Sequence, residues 1–209
     1  AKYGELAYVS NPAGGFIKIL TEAYQKIGDK QKYKEWALEA IDQLEPGQSF
    51  QFVKEFRTSA ARAENWRQAA RYARKTLDFL SKMERTPNAS EAEWNSWVSK
   101  QRAISYLLLG RNAYEGQEWA RAVVNYQRVI RNSRNGKVRG EAHYYIGMSQ
   151  WKESRLRPAM AAFACGAAQK GSPHARVSDK HLIRLYKSTH NESTAGLEEF
   201  KKRVKGNCS

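Results

Sequence analysis

ISYLLLGRNAYEGQEWARAVVNY, residues 104–126, and EAHYYIGMSQWKESRLRPAMAAF, residues 141–163, read as two copies of one pattern. In the first, Tyr106, Leu109 and Gly110 are followed by Trp119, Ala122 and Tyr126. In the second, His143, Ile146 and Gly147 are followed by Leu156, Ala159 and Phe163. Gly110 lies 12 residues before Ala122, and Gly147 lies 12 before Ala159; each alanine is followed 4 residues later by a ring. Steps of three and four residues put these positions on one face of each helix, so each copy is expected to be a helix, a tight turn and a second helix. A glycine set against an alanine lets two helix backbones approach closely, with the large side chains filling the space beside the contact.

This pattern resembles the tetratricopeptide repeat, with a small residue on the first helix, a second on its partner and aromatics at these offsets. The family's first-helix Tyr falls at Ala113, with Tyr114 beside it, and no proline closes the first copy. The resemblance implies an all-α fold, a right-handed superhelical stack of antiparallel helix pairs, with about four repeats and C-terminal capping helices. It extends outward from 104–166 over most of the chain, and is weakest before residue 80.

Residues 1–15 are expected to be an irregular lead-in, and 16–190 a single helical-repeat domain with pairs over about 16–45, 49–83, 91–133 and 138–170. Phe16, Ile17, Leu20, Tyr24 and Ile27 share a face; Gly28-Asp29 breaks that helix and Glu45-Pro46-Gly47 ends the next. In the second pair Arg57 stands where a small residue belongs. Trp66 follows Tyr33 by 33 residues, near the family period, but Trp119 follows Trp66 by 53. The insertion holds Ser90 and Glu93, a capping box that opens a long helix over Glu91–Glu115. Trp94, Trp97 and Val98 extend the apolar face of that helix and are read as shielding the neighbouring pair, the alternative being a partner-binding edge. A capping helix is expected over 174–190, then a short helix capped by Ser193 or Thr194, within a basic segment 191–209 ending in Lys201, Lys202, Arg203 and Lys205. The stretch from Leu185 to Phe200 is similar to the ending of bacterial tetratricopeptide proteins, some of them exported. An exported or periplasmic location is the expectation.

Composition is that of a globular helical chain: 41% hydrophobic, 27% charged and only five prolines in 209 residues, with no apolar run long enough to cross a bilayer. The formal net charge of +15 attracts acidic proteins, nucleic acid or anionic lipid without choosing among them. Two cysteines make no disulfide framework. Cys165 reads as a small core residue and Cys208 as part of a solvated tail, and both their pairing and the redox compartment stay open.

The chain lacks the spacings that mark a zinc protease, a phosphate-binding loop, a dinucleotide fold or a serine-hydrolase elbow. Its four histidines are scattered without metal-ligand spacing, and His143 falls at a packing position. The expectation is a non-enzymatic scaffold with no catalytic residues, cofactor or metal.

In the tetratricopeptide family the first helix of each pair lines a concave groove. The resemblance therefore implies groove positions at Lys18, Thr21, Gln51, Lys54, Thr58 and Arg62, then Leu107, Arg111 and Tyr114, then Tyr144, Met148, Trp151 and Lys152. Arginine and lysine hold carboxylates, and Tyr and Trp supply rigid apolar area, so the implied ligand is a peptide segment of an acidic partner. The paired asparagines with which some relatives hold chaperone tails are missing. The alternative is sequence-independent binding of nucleic acid or an anionic surface through Arg121, Arg128, Arg131, Arg134, Lys137 and Arg139. A one-base-per-repeat code is not expected, since Thr21, Lys54, Leu107 and Tyr144 occupy matched positions and share no chemistry.

Overall fold

The helices of this chain are set by where their backbones turn. In the computed structural model, which describes residues 14–208, three non-glycine residues take the left-handed conformation at equivalent places: Glu64 (φ 52°), Gln117 (φ 59°) and Ser154 (φ 59°). Each ends one helix and stands just before the N-cap of the next. The next amide then reaches back five residues: Asn65 N–H to the Ala60 carbonyl (2.9 Å), Glu118 to Ala113 (2.8 Å) and Arg155 to Gln150 (2.8 Å). Such a bond satisfies a helix-terminal carbonyl and offsets the cost of a side chain at positive φ.

Among the described residues there are ten helices and no strand. They are α1 (Gly14–Ile27), α2 (Lys30–Gln43), α3 (Pro46–Arg62), α4 (Trp66–Lys82), α5 (Glu91–Glu115), α6 (Trp119–Asn132), α7 (Gly136–Lys152), α8 (Leu156–Ala167), α9 (Ala175–Thr189) and α10 (Leu197–Lys205). From α1 to α9 each helix packs on the next in sequence; α5 also touches α7, α7 touches α9, and α10 lies on α8. No helix is long and apolar enough to cross a membrane among the described residues. Side-chain caps open several helices: Asp29 on α2, Asn65 on α4, Asn135 on α7, and Ser90 on α5, with Glu93 completing the capping box.

Several boundaries differ from the sequence reading. Pro46 opens α3 as its first residue rather than closing α2, because a proline at that position lacks only an amide that would be unbonded anyway. The last helix begins at Leu197 behind Gly196 (φ 81°), with no cap from Ser193 or Thr194. Most of the expected lead-in lies outside the described residues. The left-handed turn recurs once more at Asn191 (φ 49°), 37 residues after Ser154, with Glu192 N–H bonded to the Lys187 carbonyl. The expected capping helix thus ends as the earlier first helices do, but α10 returns across α8.

The glycines of the repeated pattern meet rings rather than alanines. A Cβ on Gly110 would stand 2.9 Å from the Tyr126 ring, and one on Gly147 would stand 2.7 Å from the Phe163 ring. Tyr126, Phe163, Ala122 and Ala159 are all wholly buried. In the second pair the arrangement is reversed: Arg57, aligned with those glycines, is 2% exposed and Ala73 takes the ring's position. The Arg57 guanidinium donates to Gln101 Oε1 (2.9 Å), Ser105 Oγ (3.1 Å) and Thr76 Oγ1 (3.4 Å). Among the described residues no carboxylate pairs with it, and burial lowers its pKa to about 10. Trp94 stacks on Trp97, which packs on Phe50, so the inserted turns of α5 cover the core of α2–α4.

Cys208 is not part of a solvated tail. It is buried and disulfide-bonded to Cys165, with Cα atoms 5.3 Å apart. Helix α10 is thereby fastened over α8, and Arg139 of α7 donates from Nη2 to the Cys208 carbonyl.

Candidate functional site

The residues implied for the groove divide into two sets. Those of α5 and α7 form one connected surface with residues from α4, α6 and α9. Tyr114 meets Trp119 edge-on (5.2 Å between ring centroids) and Tyr145 (5.0 Å); Tyr145 meets Tyr144 (5.0 Å). Tyr144 continues to His174 (5.1 Å) and His181 (6.0 Å), and His181 to Trp151 (5.4 Å). Two arginines sit on this aromatic strip. Arg111 lies over the Trp66 ring (5.0 Å) and the Tyr145 ring (4.6 Å), and Arg184 lies over Trp151 (5.5 Å). Met148 packs beside Trp151 on the α8–α9 core, and Lys152 is exposed at the end of α7.

Position along the helix accounts for this meeting. Arg111 and Tyr114 are one turn apart on α5, as are Tyr144, Met148 and Trp151 on α7, and α5, α7 and α9 adjoin. All of these rings are half-buried, with one side packed and the other open. Burial raises the Tyr114 and Tyr144 hydroxyls above the usual phenol range. It also lowers His174 and His181, with a smaller contribution from Arg111 to the first and Arg184 to the second. At neutral pH the strip is therefore uncharged, and its charge is carried by Arg111, which is paired with Glu115 at 2.8 Å, and by Arg184 and Lys152.

The remaining implied positions are elsewhere. Lys18, Gln51, Lys54, Thr58 and Arg62 are exposed on α1 and α3. Lys54 donates to Gln51 at 3.5 Å. Thr21 is wholly buried, its hydroxyl donating to the Ile17 carbonyl at 2.7 Å, and cannot line a groove. A β-branched hydroxyl in a helix satisfies itself on the preceding turn, which lets it enter the core.

Trp66, Tyr145, His174, His181 and Arg184 were missed by the sequence reading. A signal for His181 existed: it stands 37 residues after Tyr144, at the same step that separates Gly147 from Gly110. Arg184 likewise stands 37 after Gly147. Trp66 begins α4 as Trp119 begins α6.

The basic face is thinner than its sequence suggests. Arg139 is turned inward onto the Cys208 carbonyl, because the disulfide brings that carbonyl to α7. Arg121 is paired with Glu118 (2.7 Å), and Arg128 lies over the Tyr106 ring (5.3 Å). Arg131, Arg134 and Lys137 are exposed. Among the described residues, no three His, Cys, Asp or Glu side chains converge as metal ligands.

No protein-family model, curated protein or solved structure matches this chain.

Proposed function

We propose that the protein is a non-enzymatic, tetratricopeptide-like interaction module that holds a peptide segment of an acidic partner along α5, α7 and α9. The observation that carries this reading is the aromatic strip from Tyr114 through Tyr145 and Tyr144 to His181 and Trp151, with Arg111 and Arg184 over its rings. A half-open row of rigid rings offers contact area at small entropic cost, and the cations at its rim suit carboxylates. The repeated left-handed turn at 64, 117, 154 and 191 supports a repeat architecture, and the Cys165–Cys208 disulfide supports an exported location, where disulfides persist.

Selection from a random peptide library tests the reading. Peptides pairing Asp or Glu with an aromatic or aliphatic residue are expected, with binding weakened at least about tenfold by Arg184→Glu with Lys152→Glu. Selection of basic peptides, or binding indifferent to that double substitution, would overturn it.

A further inference from the structure

Among the described residues, a minority of the cations in this protein have an acidic partner. Lys75 pairs with Asp42, Lys82 with Asp78, Arg121 with Glu118, Arg155 with Glu153, and Lys201 with Asp179 and Glu198. Arg67, Arg71 and Arg74 do not. They are exposed at i, i+4 and i+7 of α4, and among the described residues no carboxylate forms an ion pair with any of them. Together with Asn65 and Gln68 they make the whole wall of a shallow cleft of about 520 Å3 that contains no acidic residue. Arg67 and Arg74 also line the adjoining cleft, where Glu64, Glu115 and Glu118 stand; the last two glutamates are engaged by Arg111 and Arg121.

This arrangement works against the helix that carries it. Like charges four residues apart on a helix repel one another, and a cation in the first turn opposes the positive end of the helix dipole. Arg67 is the second residue of α4, and the first turn holds no acidic residue to offset it. All three side chains are exposed. A surface that keeps this repulsion without structural return is completed by an anion. Three guanidinium groups over about 10 Å of helix axis match the several oxygens of a phosphoryl group or a pair of them, each able to accept two parallel N–H bonds.

We infer that the α4 face formed by Arg67, Arg71 and Arg74 is a binding site for a phosphorylated small anion, separate from the aromatic strip.

Titration with inorganic diphosphate at low salt, followed by calorimetry, tests this. The expected result is saturable binding that falls at least tenfold in Arg71→Gln and is lost in the Arg67→Gln, Arg71→Gln, Arg74→Gln triple variant. The control Arg176→Gln, an exposed change on α9, should bind as the parent does. The triple variant should melt no lower than the parent, since only repulsion is removed, and diphosphate should raise the melting temperature of the parent alone. Absence of saturable binding, or binding unchanged in a folded triple variant, overturns the site. A competition arm with phosphatidylcholine vesicles containing phosphatidic acid identifies the source. Diphosphate binding without competition assigns the site to a soluble anion, and competition by vesicles assigns the same arginines to a lipid headgroup. Vesicle binding with no diphosphate binding overturns the small-anion site in favour of a membrane-docking face.

Discussion

The pair α3–α4 and the two pairs that follow it fill the same place between their helices from opposite sides. In α5–α6 and α7–α8 the first helix supplies a glycine and the second a ring, Tyr126 or Phe163. In α3–α4 the first helix supplies Arg57 and the second Ala73. In each pair one large buried side chain is matched in register by a small residue on the other helix. The filler also reaches forward each time. Arg57 bonds Gln101 and Ser105 of α5, Tyr126 stacks on Tyr145 of α7 (5.4 Å, 12° between planes), and Phe163 stacks on His181 of α9 (5.2 Å). One position closes a pair and ties it to the next, by hydrogen bonds in one case and by rings in the others.

The largest break in this comparison should come from Arg57→Ala, which leaves a void beside Ala73 and strands Gln101 without its donor. A loss of about 3–5 kcal/mol is expected from denaturant unfolding.

Acid should act on the later pairs and leave the Arg57 contact intact. His143 is buried on α7, and burial foremost, then Arg139, lower its pKa from 6.5 to about 4, against a raising hydrogen bond to the Cys208 backbone. Its folded value lies below its unfolded value, so the unfolded chain takes up the proton first as pH falls. The stabilisation is complete above about pH 6.5 and is lost between there and about pH 4, up to roughly 3 kcal/mol. Stability measured across this range should fall less steeply in His143→Gln.

Gly110→Ala and Gly147→Ala each push a methyl group into a ring, at 2.9 and 2.7 Å, and are expected to cost about 1–3 kcal/mol in thermal or denaturant unfolding. Glycine replacement at Arg57 combined with Ala73→Tyr would sharpen the comparison most finely. If volume is what matters, the double variant should be more stable than the sum of its singles predicts, by about 0.5–3 kcal/mol in a double-mutant cycle.

The sequence exposed the repeating part because its signals are local. Gly110, Ala122 and Tyr126 and their copies recur at fixed steps, and the capping box at Ser90 needs only four residues to be seen. The long helix α5 followed from that capping box, and the groove positions Arg111, Tyr114, Tyr144 and Trp151 were implied only by the resemblance to the tetratricopeptide repeat. Arg57 was visible as an exception but not as a filler, since its meaning depends on Ala73 and on two residues of α5. The disulfide was hidden because Cys165 and Cys208 are 43 residues apart and meet only when α10 folds over α8. For the same reason Arg139 read as a surface charge. The fourth left-handed turn, at Asn191, is not legible in the sequence because it begins an irregular segment.

The disulfide also gives the molecule a direction. A chain of helices that touch mainly their neighbours can come apart from either end. Here the last helix is covalently fastened to α8, and both cysteines of the chain are spent on that tie. At the other end of the described residues α1 presents Ile19 and Ile27 largely to solvent and, among the described helices, rests chiefly on α2. Among the described helices, opening is therefore expected away from that tie, as a zipper stitched shut at its lower end can be drawn only from above.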